Sequence, residues 1–157
     1  WDAASIKGFM LELGPVSSLF DIATFAALFF VVCPAAVGST WSEFVCAGDA
    51  AGMAAFAALF QSGWFVESMW SQTLVIHMLR SPHLPSLRDH AAPALCVLTV
   101  LGLTLVTWLP ASPIADALGL MALPASFFAL LVGIVAAYIA LTQLAKHCYI
   151  ARHGELL

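Results

Sequence analysis

Four runs without Asp, Glu, Lys or Arg divide the chain: residues 22–42, 50–66, 90–115 and 117–145. Trimmed at their proline, glycine and polar residues, these runs predict four helices, A to D, at about residues 9–33, 56–79, 93–109 and 124–145. Helix A includes Asp21 and is expected to end at Pro34, because proline inside a helix removes a backbone hydrogen bond. A helix rises about 1.5 Å per residue, so each one reaches or nearly reaches across a hydrocarbon core about 30 Å thick.

The composition indicates the same class of protein. Of the 157 residues, 62% are hydrophobic and 9% are charged, whereas soluble domains carry about 25% charged residues. The net charge of -4 argues against a nucleic-acid-binding protein, which would need a basic surface. The sequence therefore predicts an all-α membrane protein with no nucleic-acid partner.

The basic residues predict the topology, because Lys and Arg accumulate in short cytoplasmic loops. The A–B and C–D loops contain no basic residue, and all five basic residues lie before helix A, between B and C, or at the end of D: Lys7, Arg80, Arg88, Lys146 and Arg152. We therefore expect one domain, residues 1–157, that forms a four-transmembrane-helix bundle with both termini cytoplasmic. Arg80, Arg88, Lys146 and Arg152 also predict a patch that binds anionic lipids such as cardiolipin.

Two carboxylates lie deep inside the predicted spans. Asp21 and Glu67 are each 12 residues from the cytoplasmic end of their helix, about 18 Å along it. An ionised carboxylate without a partner costs about 2.5 kcal/mol or more at the bilayer centre, so neither is expected to face lipid. Other polar residues accompany them: Ser17, Ser18 and Thr24 on helix A, and Gln61, Ser68, Ser71 and Gln72 on helix B. This stripe predicts a cation or proton path; the alternative is that protonated carboxyl groups and hydroxyl groups hold the helices together.

Other kinds of site have weaker support. The four cysteines lack the spacing of metal ligands, although Cys33 and Cys46 both fall on the predicted extracytoplasmic side, where they could pair. The chain contains no phosphate-binding loop and no GxSxG, HExxH or Rossmann glycine motif. We therefore expect no soluble catalytic domain in this chain, and the sequence identifies no metal ligands.

Several blocks of sequence are similar to a known family. They are residues 8–10 (GFM), 14–22 (GPVSSLFDI), 60–67 (FQSGWFVE) and 71–80 (SQTLVIHMLR). Together these blocks resemble the C-terminal membrane region of bacterial magnesium-importing P-type ATPases, the last four of their ten transmembrane helices. Helices C and D match mainly as hydrophobic spans.

The resemblance implies Mg²⁺ as the transported ion and the bacterial inner membrane as the location. It also implies the rest of the ATPase as partner, with the chain acting as scaffold and partial lining of the cation path. Gln72 matches the position where related pumps carry a polar or acidic residue near the ion, so the candidate path residues are Asp21, Glu67, Ser71 and Gln72. The DKTGT and TGES loops and the nucleotide-binding domain are absent from this sequence. We therefore expect that the chain alone does not hydrolyse ATP, and that ATP acts only through those other domains.

Two other functions stay open at this point. The chain could be a free-standing small membrane protein, derived from such a pump, that acts as an interaction or regulatory subunit. It could also be an independent proton or cation channel that uses Asp21 and Glu67. The channel is disfavoured because helices C and D are almost entirely hydrocarbon and offer little polar lining.

Overall fold

The computed structural model describes residues 3–79 and 93–153, and every regular element in these two ranges is helical. The α-helices are α1 (Ala3–Ala27), α2 (Cys33–Val37), α3 (Trp41–Ala47), α4 (Ala50–Leu79), α5 (Pro93–Trp108) and α6 (Ala125–His153). A π-helical segment, Leu28–Val32, joins α1 to α2, and short 3-10 turns at Leu109–Ala111 and Asp116–Leu118 follow α5. The prediction of an all-α protein is confirmed.

The prediction that helix A ends at Pro34 is wrong. The chain stays helical from α1 through the π-helical segment and α2. This helical stretch ends at Gly38, whose φ of 85° is left-handed. In the π-helical segment the backbone bonds reach five residues back, as the Cys33 N–H does to the Leu28 carbonyl. This wider turn directly precedes Pro34, which therefore lies in the first turn of α2, where its missing N–H is tolerated.

The connection between α2 and α4 contains a helix that was not predicted. Thr40 begins α3 with a capping box: the Thr40 N–H donates to Glu43 Oε2 at 2.7 Å, and the Glu43 N–H donates to Thr40 Oγ1 at 3.4 Å. Asp49 then caps α4, because its Oδ1 accepts from the N–H groups of Ala51 and Gly52 at 3.1 and 3.0 Å. Helix B consequently begins at Ala50 and not at about residue 56.

The core of the bundle lies between α1, α4 and α6, which pack against one another, while α5 packs against α4. Gly63 permits a close approach, since a Cβ atom there would lie 2.5 Å from Leu28 Cδ2. The residues of the main apolar cluster come from the π-helical segment and from α4, α5 and α6: Leu28, Val32, Val66, Val106, Phe127 and Leu131.

Three of the described helical stretches are long and apolar enough to cross a membrane: Ser17–Val37, Pro93–Ala111 and Ala125–Ala145. They correspond to predicted helices A, C and D. Helix α4 is the longest helix described, at 30 residues, but it is not among these spans. Polar residues in its middle, Gln61, Ser62 and Glu67, lower its hydropathy.

Candidate functional site

The two carboxylates predicted to lie at similar depth are on α1 and α4, two helices that pack against each other. Asp21 on α1 is half-buried, and Glu67 on α4 is fully buried. The two side chains interact electrostatically. By distance and angle, neither oxygen of Glu67 has a hydrogen-bond partner within residues 3–79 and 93–153. A buried carboxylate in this situation is stabilised by a proton, by a cation or by added hydrogen-bond donors, because an isolated charge in an apolar surrounding is strongly unfavourable.

Ser71 and Gln72 are neighbours in sequence but lie in different surroundings. Ser71 is buried one helical turn from Glu67, and its hydroxyl donates to the Ser68 carbonyl oxygen at 3.1 Å. Gln72 is exposed, as is Gln61. The single polar stripe predicted on helix B is therefore two surfaces, one buried with Glu67 and Ser71 and one exposed with the two glutamines.

Polar groups on α6 were not predicted to belong to the site. Thr142 is buried, and neither its Oγ1 nor the buried Nε2 of the adjacent Gln143 has a hydrogen-bond partner in the part of the chain that the structure describes. Thr24, on α1, likewise has a buried and unpartnered hydroxyl. The signal in the sequence was the adjacent pair Thr142 and Gln143 near the end of an otherwise apolar span.

These unpaired hydroxyl groups differ from others in the bundle. The hydroxyls of Ser62, Thr104 and Thr107 each donate at 2.7 Å to the carbonyl oxygen four residues earlier on their own helix. Thr24 and Thr142 make no such bond. The unpaired polar atoms thus occur on α1, α4 and α6, the three helices that form the core.

Oxygen atoms of this kind suit a hard cation or a proton. Within residues 3–79 and 93–153, however, no group of three or more His, Cys, Asp and Glu side chains is placed to hold a metal ion. Two carboxyl groups and the hydroxyls on the same three helices do not form a complete set of six to eight ligands.

The remaining predictions concern a possible disulfide and a patch of basic residues. Cys33 is a buried free thiol and Cys46 an exposed one, so the possible disulfide is not formed. Arg80 and Arg88 lie outside the described residues. Lys146 and Arg152 lie in α6, but their side chains are also outside the described part of the chain.

Comparison with known proteins supports the resemblance seen in the sequence. The family described as "Cation transporting ATPase, C-terminus" matches residues 4–148. The chain is 39% identical over 155 residues, 99% of its length, to "Magnesium-transporting ATPase, P-type 1" of Salmonella typhimurium strain LT2. It is also 39% identical over 154 residues, 98% of its length, to the protein of the same name from Escherichia coli K12. The chain spans only 15% of the length of each of these relatives.

Proposed function

Because the chain belongs to the cation-transporting ATPase C-terminus family, we propose that it is the C-terminal membrane domain of a P-type pump that transports Mg²⁺ across the bacterial inner membrane. Its role there is to scaffold the membrane region and to line part of the cation path. The observation that carries this proposal is the match of nearly the whole chain to relatives named as magnesium transporters. Phosphorylation and ATP binding belong to the rest of the pump.

The buried carboxyl pair supports the path-lining role. Glu67 and Asp21 bring negative charge to a place where Glu67 has no partner of its own, and Ser71 adds a hydroxyl one turn away. Gln72 contributes from the exposed side of α4, where it lines the path if other helices of the pump cover it.

The role is tested by Mg²⁺ uptake in the full-length protein carrying Asp21→Asn or Glu67→Gln. Each change keeps the size of the side chain but removes its ability to carry charge, so we expect uptake to fall about tenfold, equivalent to about 1.4 kcal/mol in the transport barrier. Asp116→Asn is the matched control, because Asp116 is an exposed carboxylate between α5 and α6. Unchanged uptake in both path variants would favour the alternative in which these groups only hold helices together.

For topology we propose four crossings with both termini cytoplasmic. At about 1.5 Å per residue, the 30 residues of α4 extend for about 45 Å, which is enough to cross a bilayer. The glutamate of α4 is buried inside the bundle and away from lipid. The distribution of Lys and Arg supports the orientation.

Two exposed cysteines allow a direct test of this topology. Cys46 lies on the proposed extracytoplasmic side and Cys148 on the cytoplasmic side. In variants that keep one or the other as the single cysteine, a membrane-impermeant maleimide added to spheroplasts should label Cys46. Cys148 should react only after the membrane is permeabilised. Labelling of both from outside would contradict four crossings.

The basic residues Arg80, Arg88, Lys146 and Arg152 are proposed to bind anionic lipid at the cytoplasmic interface. Adding cardiolipin to the purified protein should raise its melting temperature, and replacing these four residues with glutamine should remove most of that increase. A melting temperature that does not respond to cardiolipin in the unmodified protein would disprove the patch.

The size of the native product separates a pump domain from a free-standing subunit. An antibody raised against residues 81–92 should detect a membrane protein several times larger than 16.6 kDa. A band near 16.6 kDa would mean that the similarity describes ancestry and not activity.

A further inference from the structure

Large apolar side chains lie next to Glu67 on its own face of α4. Gly63 is four residues before Glu67 and Ser71 is four residues after it, so the three share that face. A Cβ atom at Gly63 would lie 2.5 Å from Leu28 Cδ2 and 3.3 Å from Phe127 Cε2. Leu28 and Phe127 are 0% and 1% exposed. These two side chains therefore close the bundle over Gly63, one helical turn from the carboxyl group, and we call the three residues the apolar layer.

In the opposite direction along the bundle, the same helices carry polar groups. Thr24 and Asp21 lie four and seven residues before Leu28, and therefore on the side of α1 that Leu28 occupies. Thr24 is fully buried, and Ser71 on α4 is buried as well. Thr142 is a buried hydroxyl further along α6. Glu67 thus has the apolar layer on one side and polar groups on the other.

The connection between α5 and α6 meets α4 close to the apolar layer. The Met121 N–H donates to Ser62 Oγ at 2.7 Å, and the fully buried Ser62 hydroxyl donates to the Ala58 carbonyl oxygen at 2.7 Å. Ser62 is five residues from Glu67, about 7.5 Å along the helix, whereas Leu79 at the end of α4 is 12 residues away, about 18 Å. In the proposed topology this connection is extracytoplasmic, so Glu67 lies nearer to it than to the cytoplasmic end of its helix.

Both large side chains of the apolar layer lie where regular α-helix begins or ends. Leu28 is the first residue of the π-helical segment. Phe127 lies in the first turn of α6, where its N–H donates to the Pro124 carbonyl oxygen at 3.0 Å, and residues 120–124 before it have no regular secondary structure. The ends of helices are the positions at which a backbone absorbs movement. Apolar constrictions in membrane proteins act as gates because they exclude water when closed.

We propose that the apolar layer is a gate that closes Glu67 off from the extracytoplasmic side, and that the hydrogen bond from Met121 to Ser62 holds this gate shut. The gate opens when residues 120–124 and the start of α6 move away from α4, which admits water and the cation to Glu67. This inference rests on the proposed function and topology, because it takes Glu67 to line the cation path. It adds the side from which the cation enters and the residues that control entry.

The test measures access to position 67 from the extracytoplasmic side. Glu67→Cys is made in the full-length protein without its other cysteines, and a cationic, membrane-impermeant methanethiosulfonate is added to right-side-out membrane vesicles without ATP. The cysteine should react slowly while the gate is closed. Phe127→Ala removes the ring and should raise the rate about tenfold, whereas Phe127→Leu keeps an apolar side chain there and should leave the rate low. Ser62→Ala removes the acceptor of the Met121 N–H and should raise the rate by a smaller factor.

Cys33 is the control for a general loosening of the bundle. It is a buried free thiol in a second apolar cluster, with Phe56 and Leu59. In a protein that keeps Cys33 as its single cysteine, Phe127→Ala should leave the reaction slow. Equal acceleration at Cys33 and at position 67 would show that the substitution loosens the bundle as a whole, and it would overturn the gate.

Three other results would overturn the gate: fast reaction of Glu67→Cys before any change at Phe127, no acceleration by Phe127→Ala, or equal acceleration by Phe127→Leu. Mg²⁺ uptake by the unmodified protein is measured separately. The expected reaction rates without Mg²⁺ uptake would keep the gate and disprove the proposed cargo. Mg²⁺ uptake together with rates that do not respond to Phe127→Ala would keep the cargo and overturn the gate.

Discussion

Two helix contacts within the bundle differ in whether their polar side chains are hydrogen-bonded. Between α4 and α5, the Trp70 Nε1–H donates to Thr107 Oγ1 at 3.0 Å, and the Thr107 hydroxyl donates in turn to the Leu103 carbonyl oxygen at 2.7 Å. His77 Nε2 and Thr99 Oγ1 are also hydrogen-bonded, at 2.7 Å. These groups complete one another's hydrogen bonds, which is how polar side chains stabilise helix association in membranes.

Where α1, α4 and α6 meet, buried polar groups remain unpaired. Among the described residues, no hydrogen-bond partner is found for the hydroxyls of Thr24 and Thr142, both oxygens of Glu67 and the amide nitrogen of Gln143. Such groups lower stability, and folded proteins retain them chiefly where binding or catalysis uses them. If the proposed cation path is correct, variants at the contact among α1, α4 and α6 should affect transport, and variants at the α4–α5 contact should affect mainly stability.

The largest expected effect follows from removing the unpaired carboxyl group. Glu67→Met replaces it with an unbranched apolar side chain of similar length. We expect the free energy of unfolding to rise by about 1–3 kcal/mol, because the cost of burying an unsatisfied polar group disappears. Mg²⁺ uptake should fall in the same variant. Thermal unfolding of the purified full-length protein and an uptake assay measure the two effects, and a loss of stability would show that Glu67 has a stabilising partner.

A matched pair of threonine substitutions sharpens the comparison further. Thr107→Val breaks the chain of hydrogen bonds to Trp70 and should lower the free energy of unfolding by about 1 kcal/mol. Thr24→Val removes a hydroxyl that has no partner, and it should leave stability unchanged or slightly higher. Both substitutions replace a hydroxyl with a methyl group, so thermal unfolding reports the difference between the two contacts. Equal losses of stability would show that the two contacts do not differ in this way.

Helix positions were more predictable than helix rotations. Helix C was predicted to within one residue, 93–109 against Pro93–Trp108, because proline and polar residues bound its apolar run. Helix α3 was missed although Thr40 and Glu43 have the spacing of a capping box. The π-helical segment has no comparable signal in the sequence, because it depends on how the chain packs before Pro34.

The candidate site could be predicted only in part for the same reason. The depth predicted for Asp21 and Glu67 follows from counting residues along each helix, and the two residues lie on helices that pack together, α1 and α4. Which side of α4 is buried depends on contacts with α1 and α6, and the weak periodicity of such an apolar helix does not specify them. The prediction put Glu67 at the edge of the stripe and on a face neighbouring that of Gln72, but it did not specify that Glu67 is buried and Gln72 exposed.

The smallest expected effect concerns a carboxylate that is outside both contacts and fully solvated. The Thr40 N–H, and then the Thr40 hydroxyl, hold the pKa of Glu43 below its ordinary value. The folded pKa is below the unfolded one, so Glu43 contributes stability above its unfolded pKa, and this contribution is lost as pH falls through the folded pKa. Between about pH 6 and about pH 3, thermal unfolding should show a slightly steeper loss of stability in the unmodified protein than in Glu43→Gln. Identical pH profiles would mean that the capping box at α3 contributes nothing measurable to stability.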